Sequence, residues 1–227
     1  MSCSRTATGA RFSVALGSAA LLLAAEQGFL AAPAGTDAEA AYTQTIEKRV
    51  ADILAVLNLS DPVRSARAHD LLVARYRALR DWHDANNAKL KHASPDQAAQ
   101  IRASLKAGHD RFVASLSEVL TPAQVERVKD QMTYNKVKVT YDAYCEIVPN
   151  LTDRQKQRML ELLKEAREEA MDGGCAEEKS AVFNRFKGKI NNYLHSSLME
   201  EGKYHTMHKF WIQLQEDYTF QEWNHLQ

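Results

Sequence analysis

The sequence lacks the short motifs that identify the commonest enzyme classes. It contains no G-x-S-x-G, no H-E-x-x-H, no P-loop, no G-x-G-x-x-G and no C-x-x-C. These absences exclude the enzyme classes that a motif alone reveals, and they leave open whether the protein is an enzyme. We expect neither a cofactor nor a resident metal ion.

The sequence also lacks an excess of charge of either sign. Its 29 Lys and Arg residues balance 29 Asp and Glu residues. A nucleic-acid-binding domain usually carries a clustered surplus of basic residues. We therefore predict no nucleic-acid partner, and the balance gives no reason to expect binding to an anionic membrane.

No apolar run approaches the roughly 20 residues that a membrane-spanning helix needs. The N-terminus instead has two arginines, an uncharged apolar run over residues 12–25 and then small residues, a pattern typical of a secretory signal. Cleavage would follow Ala34 or Ala25. We predict a signal peptide over residues 1–34, a periplasmic or secreted protein, and no membrane partner after cleavage. An uncleaved N-terminal anchor is the alternative.

Cysteine is scarce, and Cys3 lies within the predicted signal. In an oxidising compartment Cys145 and Cys175 could form one disulfide. It would close a loop of about 30 residues and contribute roughly 3 kcal/mol. Spacing alone leaves the disulfide and two unpaired thiols as open alternatives.

What the sequence does contain is apolar residues at helical spacing, with little glycine before Gly173-Gly174. We predict an all-α protein, a single multi-helix bundle over residues 35–227 whose last helix covers about 203–227. Three apolar stripes indicate its core: Leu72, Tyr76, Leu79 and His83; Met159, Leu162, Leu163, Ala166 and Ala170; Phe183, Phe186, Ile190 and Leu194.

Helix starts are marked by capping residues. Asp61-Pro62 and Ser94-Pro95 each place a cap before a proline in the first turn. Thr121 to Gln124 and Thr152 to Gln155 both fit the capping box, in which the threonine and glutamine side chains bond each other's backbone N–H. Gly173-Gly174 predicts a helix end with a left-handed glycine.

The segment 133–141 does not fit the helical pattern. It is β-branched and aromatic, and Val137 and Val139 alternate with lysine. We predict a short extended segment near 134–140 that bridges two helices. An aromatic, lysine-bearing stretch of this kind inside a helical domain is either a candidate for function or a strap over the core.

Two histidine groups are candidates for chemistry. Glu201, His205 and His208 would share one helix face and could bind a metal, although solvated histidines in a tail are the commoner explanation. His83-Asp84 could be an imidazole oriented by a carboxylate, although such a histidine more often borders a core face.

The polar run over residues 185–193 contains the best set of ligand-type groups. Lys189, Asn192 and Tyr193 are three and four residues apart, so an ammonium, an amide and a phenol could converge on one surface. Such groups suit a sugar, whose hydroxyls need paired donors and acceptors and whose ring stacks on an aromatic face. The alternative is an ordinary solvated helix face.

Two resemblances add to this interpretation. The repeated L-T-x-x-Q at Leu120 and Leu151 is weakly similar to periplasmic LTxxQ helical proteins. Over about residues 40–195, LNLSDPVRSARAHDLLVARYRALRDWHD, LTPAQVERVKDQMTYNKVKVTYDAY, LTDRQKQRMLELLKEAREEAMDGG and FNRFKGKINNYL resemble, in that order, the bacterial family called domain of unknown function 3826. The resemblance implies export and sugar binding in a polysaccharide-degrading organism. It also implies the following binding residues: Tyr134, Lys136, Thr140, Tyr141, Lys189, Asn191, Asn192 and Tyr193.

Three functions follow as hypotheses. The first is an exported accessory protein of polysaccharide use that binds an oligosaccharide. The second is a carbohydrate-active lyase or hydrolase that uses Tyr, Lys or His as acid and base. The third is a helical chaperone or stress protein, which would need an exposed apolar cradle.

Overall fold

The computed structural model describes residues 34–148 and 150–200, with the backbone alone for 34–36 and 198–200. All regular structure in these residues is helical, which confirms the predicted all-α class. Residues 1–33 of the predicted signal and the predicted helix over 203–227 lie outside this range. The seven helices are α1 (Ala34–Leu57), α2 (Pro62–Leu90), α3 (Pro95–Val119), α4 (Pro122–Met132), α5 (Lys136–Ile147), α6 (Asp153–Ala170) and α7 (Ala176–Glu200). No described helix has the length and apolar character needed to cross a membrane.

Side-chain caps start these helices where the sequence predicts. The carboxylate of Asp61 accepts the backbone N–H of Val63 at 2.9 Å at the start of α2. Both predicted capping boxes form, at Thr121 and at Thr152. A third capping box, between Ser94 and Gln97, starts α3. Local polar residues therefore set the helix boundaries.

Helices α1 to α4 enclose a first apolar core. α1 packs against α2 and α4, and α3 packs against α2 and α4. Leu72, Tyr76 and Leu79 of the predicted α2 stripe are buried here, with Ile46 and Val50 of α1. His83, the last member of that stripe, lies at the margin with a side chain that is 13% exposed.

Helices α5, α6 and α7 enclose a second core, with α6 packed against both of its neighbours. The predicted stripes of α6 and α7 are buried without exception, which confirms both: Met159, Leu162, Leu163, Ala166 and Ala170; Phe183, Phe186, Ile190 and Leu194. Cys145 borders this core as a free thiol, so it does not pair with Cys175.

The prediction of an extended segment near 134–140 is wrong, because α5 begins at Lys136. Within α5, Val137, Thr140 and Tyr144 are buried three and four residues apart, whereas Val139 is exposed. That spacing is helical, and packing against α6 outweighs the β-branched composition. Only the turn Thr133–Asn135 separates α4 from α5.

The glycine pair after α6 serves a purpose other than the predicted one. α6 ends at Ala170 as expected, but neither glycine has a left-handed φ. A Cβ on Gly174 would instead lie 2.9 Å from Cδ2 of His83, whose ring packs directly against this backbone. The glycine is therefore required for close approach, not for left-handed geometry.

We expect Gly174→Ala to lower the free energy of unfolding by about 1–3 kcal/mol, because the His83 ring would have to move. Gly188→Ala is the matched control: it lies within α7, and an added Cβ there meets no atom within 4 Å. It should raise stability by up to about 1 kcal/mol through helix propensity. Urea denaturation of both variants measures the difference. Equal effects of the two substitutions would contradict this account of Gly174.

Candidate functional site

A layer of charged side chains joins the two cores, and its centre is the carboxylate of Asp172. Arg75 of α2, only 5% exposed, donates to Asp172 Oδ1. His109 of α3 donates from Nδ1 to the same oxygen at 3.0 Å. Its Nε2 lies 3.3 Å from Glu168 Oε2 of α6. Two helices of the first core are thereby bound to the end of α6.

The layer continues between α4 and α6. Arg167 donates to Asp130 at 2.6 Å and also to Glu126, and Lys129 lies 3.0 Å from Glu168. We call the whole layer the charged seam. It contains as many bases as acids: Arg75, His109, Lys129 and Arg167 with Glu126, Asp130, Glu168 and Asp172.

The pKa values of the seam follow from this pairing. Hydrogen bonds to Asp172 and then to Glu168 raise the pKa of His109 to about 9, against the opposing effect of burial. Burial alone would raise the pKa of Glu168, but hydrogen bonds from His109 and Lys129 lower it to about 2. Such perturbed groups can mark an active site or a structural ion network. Here each charge meets an opposite charge across the two cores, which favours a structural network.

A second polar region begins at the turn between α4 and α5. The backbone N–H of Asn135 donates to Asp130 O at 2.8 Å and that of Tyr134 to Gln131 O at 3.1 Å. This is a Schellman helix end, in which the left-handed position is normally occupied by glycine. Tyr134 occupies that position with φ 58°, and Asn135 follows with φ 54°. The backbone conformation costs roughly 1–2 kcal/mol for a residue that is not glycine.

The Tyr134 side chain is 44% exposed, and a buried lysine lies beside its ring. Lys179, in the first turns of α7, is 4% exposed and donates to Met132 O at 2.7 Å. Its Nζ is 5.7 Å from the centre of the Tyr134 ring. Burial, together with the charges of Arg49 and Arg75, lowers the pKa of Lys179 to about 8.

From this turn, α5 and α7 run in parallel. Tyr144 of α5 donates to Asn191 Oδ1 of α7 at 2.6 Å, and its hydroxyl lies 3.4 Å from the backbone oxygen of Lys187. Near the start of α5, the charge of Lys136 acts on Lys187. Burial and the charge of Lys136 together lower the pKa of Lys187 to about 8. From Lys179 to Asn191 the helix rises about 18 Å.

We define the α5–α7 strip as the polar side chains along this junction: Tyr134, Lys136, Thr140, Tyr144, Lys179, Lys187 and Asn191. Two of its groups lack a partner in the described part of the chain. Thr140 is 2% exposed, and its Oγ1 makes no hydrogen bond. The side chain of Lys136 is half-buried and has no hydrogen bond or ion pair in the described residues, and burial lowers its pKa.

The structure brings only some of the residues predicted to bind sugar to this strip. Tyr134, Lys136, Thr140 and Asn191 belong to it. Lys189 and Asn192 are exposed on the opposite side of α7, and Lys189 Nζ lies 3.9 Å from the centre of the Phe186 ring. Tyr141 and Tyr193 are partly buried against the second core.

Sequence reasoning missed Tyr144 and Lys179 of the strip and did not select Lys187. Tyr144 follows Lys136 by two helical turns, a spacing that would have revealed it had 134–140 been taken as helix. The proposed His83-Asp84 pair is not formed. His83 Nε2 instead donates to the backbone oxygen of Asp172 at 2.8 Å, and Nδ1 lies 3.2 Å from Asn87.

Among the described residues, no group of three or more His, Cys, Asp and Glu side chains is arranged to hold a metal. The candidate metal ligands Glu201, His205 and His208 lie outside those residues.

The fold and the strip define the chain as an all-helical protein with two cores and a polar junction between two parallel helices. Residues 43–205 match the model of the family described as Protein of unknown function (DUF3826). The match covers more than half of the chain, so the chain belongs to this family, as its motifs predict. Comparison with curated proteins gives no match.

The seam makes stability depend on pH. The ordinary pKa of His109 is 6.5 and its folded value is about 9. Its contribution is therefore complete below pH 6.5 and disappears as the pH rises through 9, a change of about 3 kcal/mol. We expect the stability difference between wild type and His109→Gln to shrink between pH 6 and pH 9.5 in urea denaturation.

The pH dependence of wild type must be compared with that of a variant. The pKa values of Lys179 and Lys187 are lowered from 10.5 to about 8, so these lysines raise the stability of both proteins as the pH rises through that range. His69→Gln is the matched control. His69 also lies between two carboxylates, Glu47 at 2.8 Å and Asp70 at 3.1 Å, but on the surface. Its substitution should change stability by less than about 1 kcal/mol at either pH. A constant difference for His109→Gln would exclude this role of the seam.

Proposed function

We propose that this is an exported accessory protein of polysaccharide use that binds a saccharide along the α5–α7 strip. The observation that supports this most is Tyr134, an exposed aromatic ring held by a left-handed backbone where glycine would be less strained. Strain of this kind persists where the position of a side chain matters.

The groups beside the ring are those that a saccharide needs. An exposed phenol ring offers a flat face to the C–H groups of a sugar ring. Because the Tyr144 hydroxyl already occupies Oδ1 of Asn191, the amide of Asn191 keeps its N–H donors. The Thr140 hydroxyl can both donate and accept. An extended strip of about 18 Å suits an oligomer better than a single sugar.

A second candidate is a carbohydrate-active enzyme, and Lys179 is the observation that favours it. A lysine with a pKa of about 8 is partly neutral near neutral pH and can accept a proton. Tyr134 lies beside it as an exposed phenol. A chaperone role has less support, because the exposed large apolar side chains in the described residues are only Val56, Val63, Tyr134 and Val139.

Calorimetric titration against a panel of oligosaccharides, with Tyr134→Gly, tests the binding proposal. We expect wild type to bind at least one oligosaccharide and the variant to lose most of that affinity. Stability should stay within about 1 kcal/mol of wild type, because relief of the left-handed strain offsets the lost Lys179 contact. A ring that serves only the fold would give the reverse: a clear loss of stability and unchanged binding.

Val139→Ala is the control, since this side chain is exposed on α5 outside the strip. Its binding should equal that of wild type. If wild type binds no oligosaccharide at millimolar concentration, the proposal is wrong.

The enzyme candidate makes a different prediction for the same panel. Chromatography of an oligosaccharide after long incubation should show shortened or unsaturated products with wild type and none with Lys179→Met. Intact ligand in both samples rejects the enzyme and leaves binding unaffected.

A further inference from the structure

The strip contains three lysines and no acidic residue. Lys179 and Lys187 are separated by about 12 Å along α7, Lys136 lies in the first turn of α5, and the other four members are tyrosine, threonine or asparagine. The chain as a whole is neutral, with equal numbers of acids and bases. A cationic line of this length is therefore a local feature that composition does not explain.

Three other lysines of the described chain are paired with acids. Lys138, two residues from Lys136, forms an ion pair with Asp142 one turn along α5. Lys106 pairs with Asp110 at 2.9 Å, and Lys129 pairs with Glu168 at 3.0 Å. Lys136 differs because it is half-buried yet has no such partner in the described residues. Its ammonium group is thus dehydrated without compensation from the protein.

A like charge increases that cost. The charge of Lys136 on α5 acts on Lys187 of α7, and each side chain is half-buried. Burial and mutual repulsion both lower the pKa of Lys187, and burial lowers that of Lys136. Asp172 attracts Lys179, but the charges of Arg49 and Arg75 outweigh it, and its carboxylate is already bound by Arg75 and His109. An anion entering the strip would relieve this repulsion.

A buried hydroxyl lies between the charged and the amide ends of the strip. Thr140 Oγ1 follows Lys136 by one helical turn and precedes Tyr144 by one turn. It is buried without a partner, which costs stability unless a ligand or water satisfies it. With the amide donors of Asn191, the strip offers the unpaired ammonium group of Lys136 and neutral donors in sequence. That set matches a carboxylate or sulfate flanked by sugar hydroxyls.

We infer that the saccharide bound by the α5–α7 strip is acidic, with its carboxylate or sulfate held by Lys136 and its hydroxyls on Thr140 and Asn191. The inference rests on the proposed function and specifies its substrate class. Lys136 recognises the charge of the ligand, and Tyr134 stacks on its sugar ring. The two parts can therefore fail independently.

The test compares ligands that differ only in charge. Trigalacturonate and its full methyl ester have the same rings, and calorimetry gives the affinity of each. A sulfated galactose oligomer with its desulfated form distinguishes sulfate from carboxylate. We expect at least one acidic ligand to bind at least tenfold more tightly than its uncharged partner. That preference should weaken as salt is raised from about 50 to about 500 mM.

Lys136→Met identifies the residue responsible. It should lower affinity for the acidic ligand about tenfold while leaving the weaker affinity for the uncharged partner unchanged. Its stability should equal or exceed that of wild type, because a half-buried unpaired charge is removed. Lys138→Met is the matched control, two residues away and exposed, and it should bind like wild type.

The outcomes separate the two proposals. Equal binding of charged and uncharged partners, or equal effects of the two lysine substitutions, overturns the acidic preference and leaves saccharide binding in place. Binding of neutral oligosaccharides alone also overturns the acidic preference while supporting saccharide binding. If neither acidic nor neutral ligands bind, both proposals fall.

Discussion

The carboxylate of Asp172 is the contact on which the arrangement of the two cores depends. It receives Arg75 from α2 and His109 from α3, and the backbone oxygen of the same residue receives His83. A buried ion pair adds little net stability over an apolar substitute, but losing one partner leaves an uncompensated charge. The pairing therefore tolerates few alternative orientations of α6 against the first core. α7 begins at Ala176, four residues after Asp172, so the same contact helps to place the start of α7.

Charged groups are paired in the charged seam, whereas the α5–α7 strip contains a lysine without a counter-charge in the described residues. In the seam, bases meet an equal number of acids, and nearly every polar atom has a partner; the Nε atoms of Arg75 and Arg167 are exceptions. In the strip, Lys136 and the Thr140 hydroxyl are withdrawn from water without compensation in the described residues. Each charge of the seam meets an opposite charge, whereas Lys136 meets none in the described residues. The contrast favours ligand recognition in the strip and architecture in the seam.

Local signals in the sequence are sufficient for most of the fold. Capping at Thr121 and Thr152 and the apolar stripe of α7 depend on residues within about three turns of each other. The extended prediction for the segment before Tyr141 fails because it rests on β-branched composition. The helical spacing of the buried residues becomes evident only from their packing against α6. The site is only partly predictable: a polar run on α7 does not reveal which of Asn191 and Asn192 faces α5. The contact of His109 with Asp172 spans 63 residues, and no local pattern encodes it.

The bond from Lys179 to the carbonyl of Met132 has a consequence for the order of folding. The last carbonyls of a helix need donors from outside it, and here the donor arrives from 47 residues farther along the chain. During synthesis the first four helices emerge before α7 exists, so the carbonyl of Met132 stays hydrated until Lys179 is available. The contact of Lys179 with the end of α4 therefore forms only after α7 has been made, so the α5–α7 strip is completed after the helices that precede it.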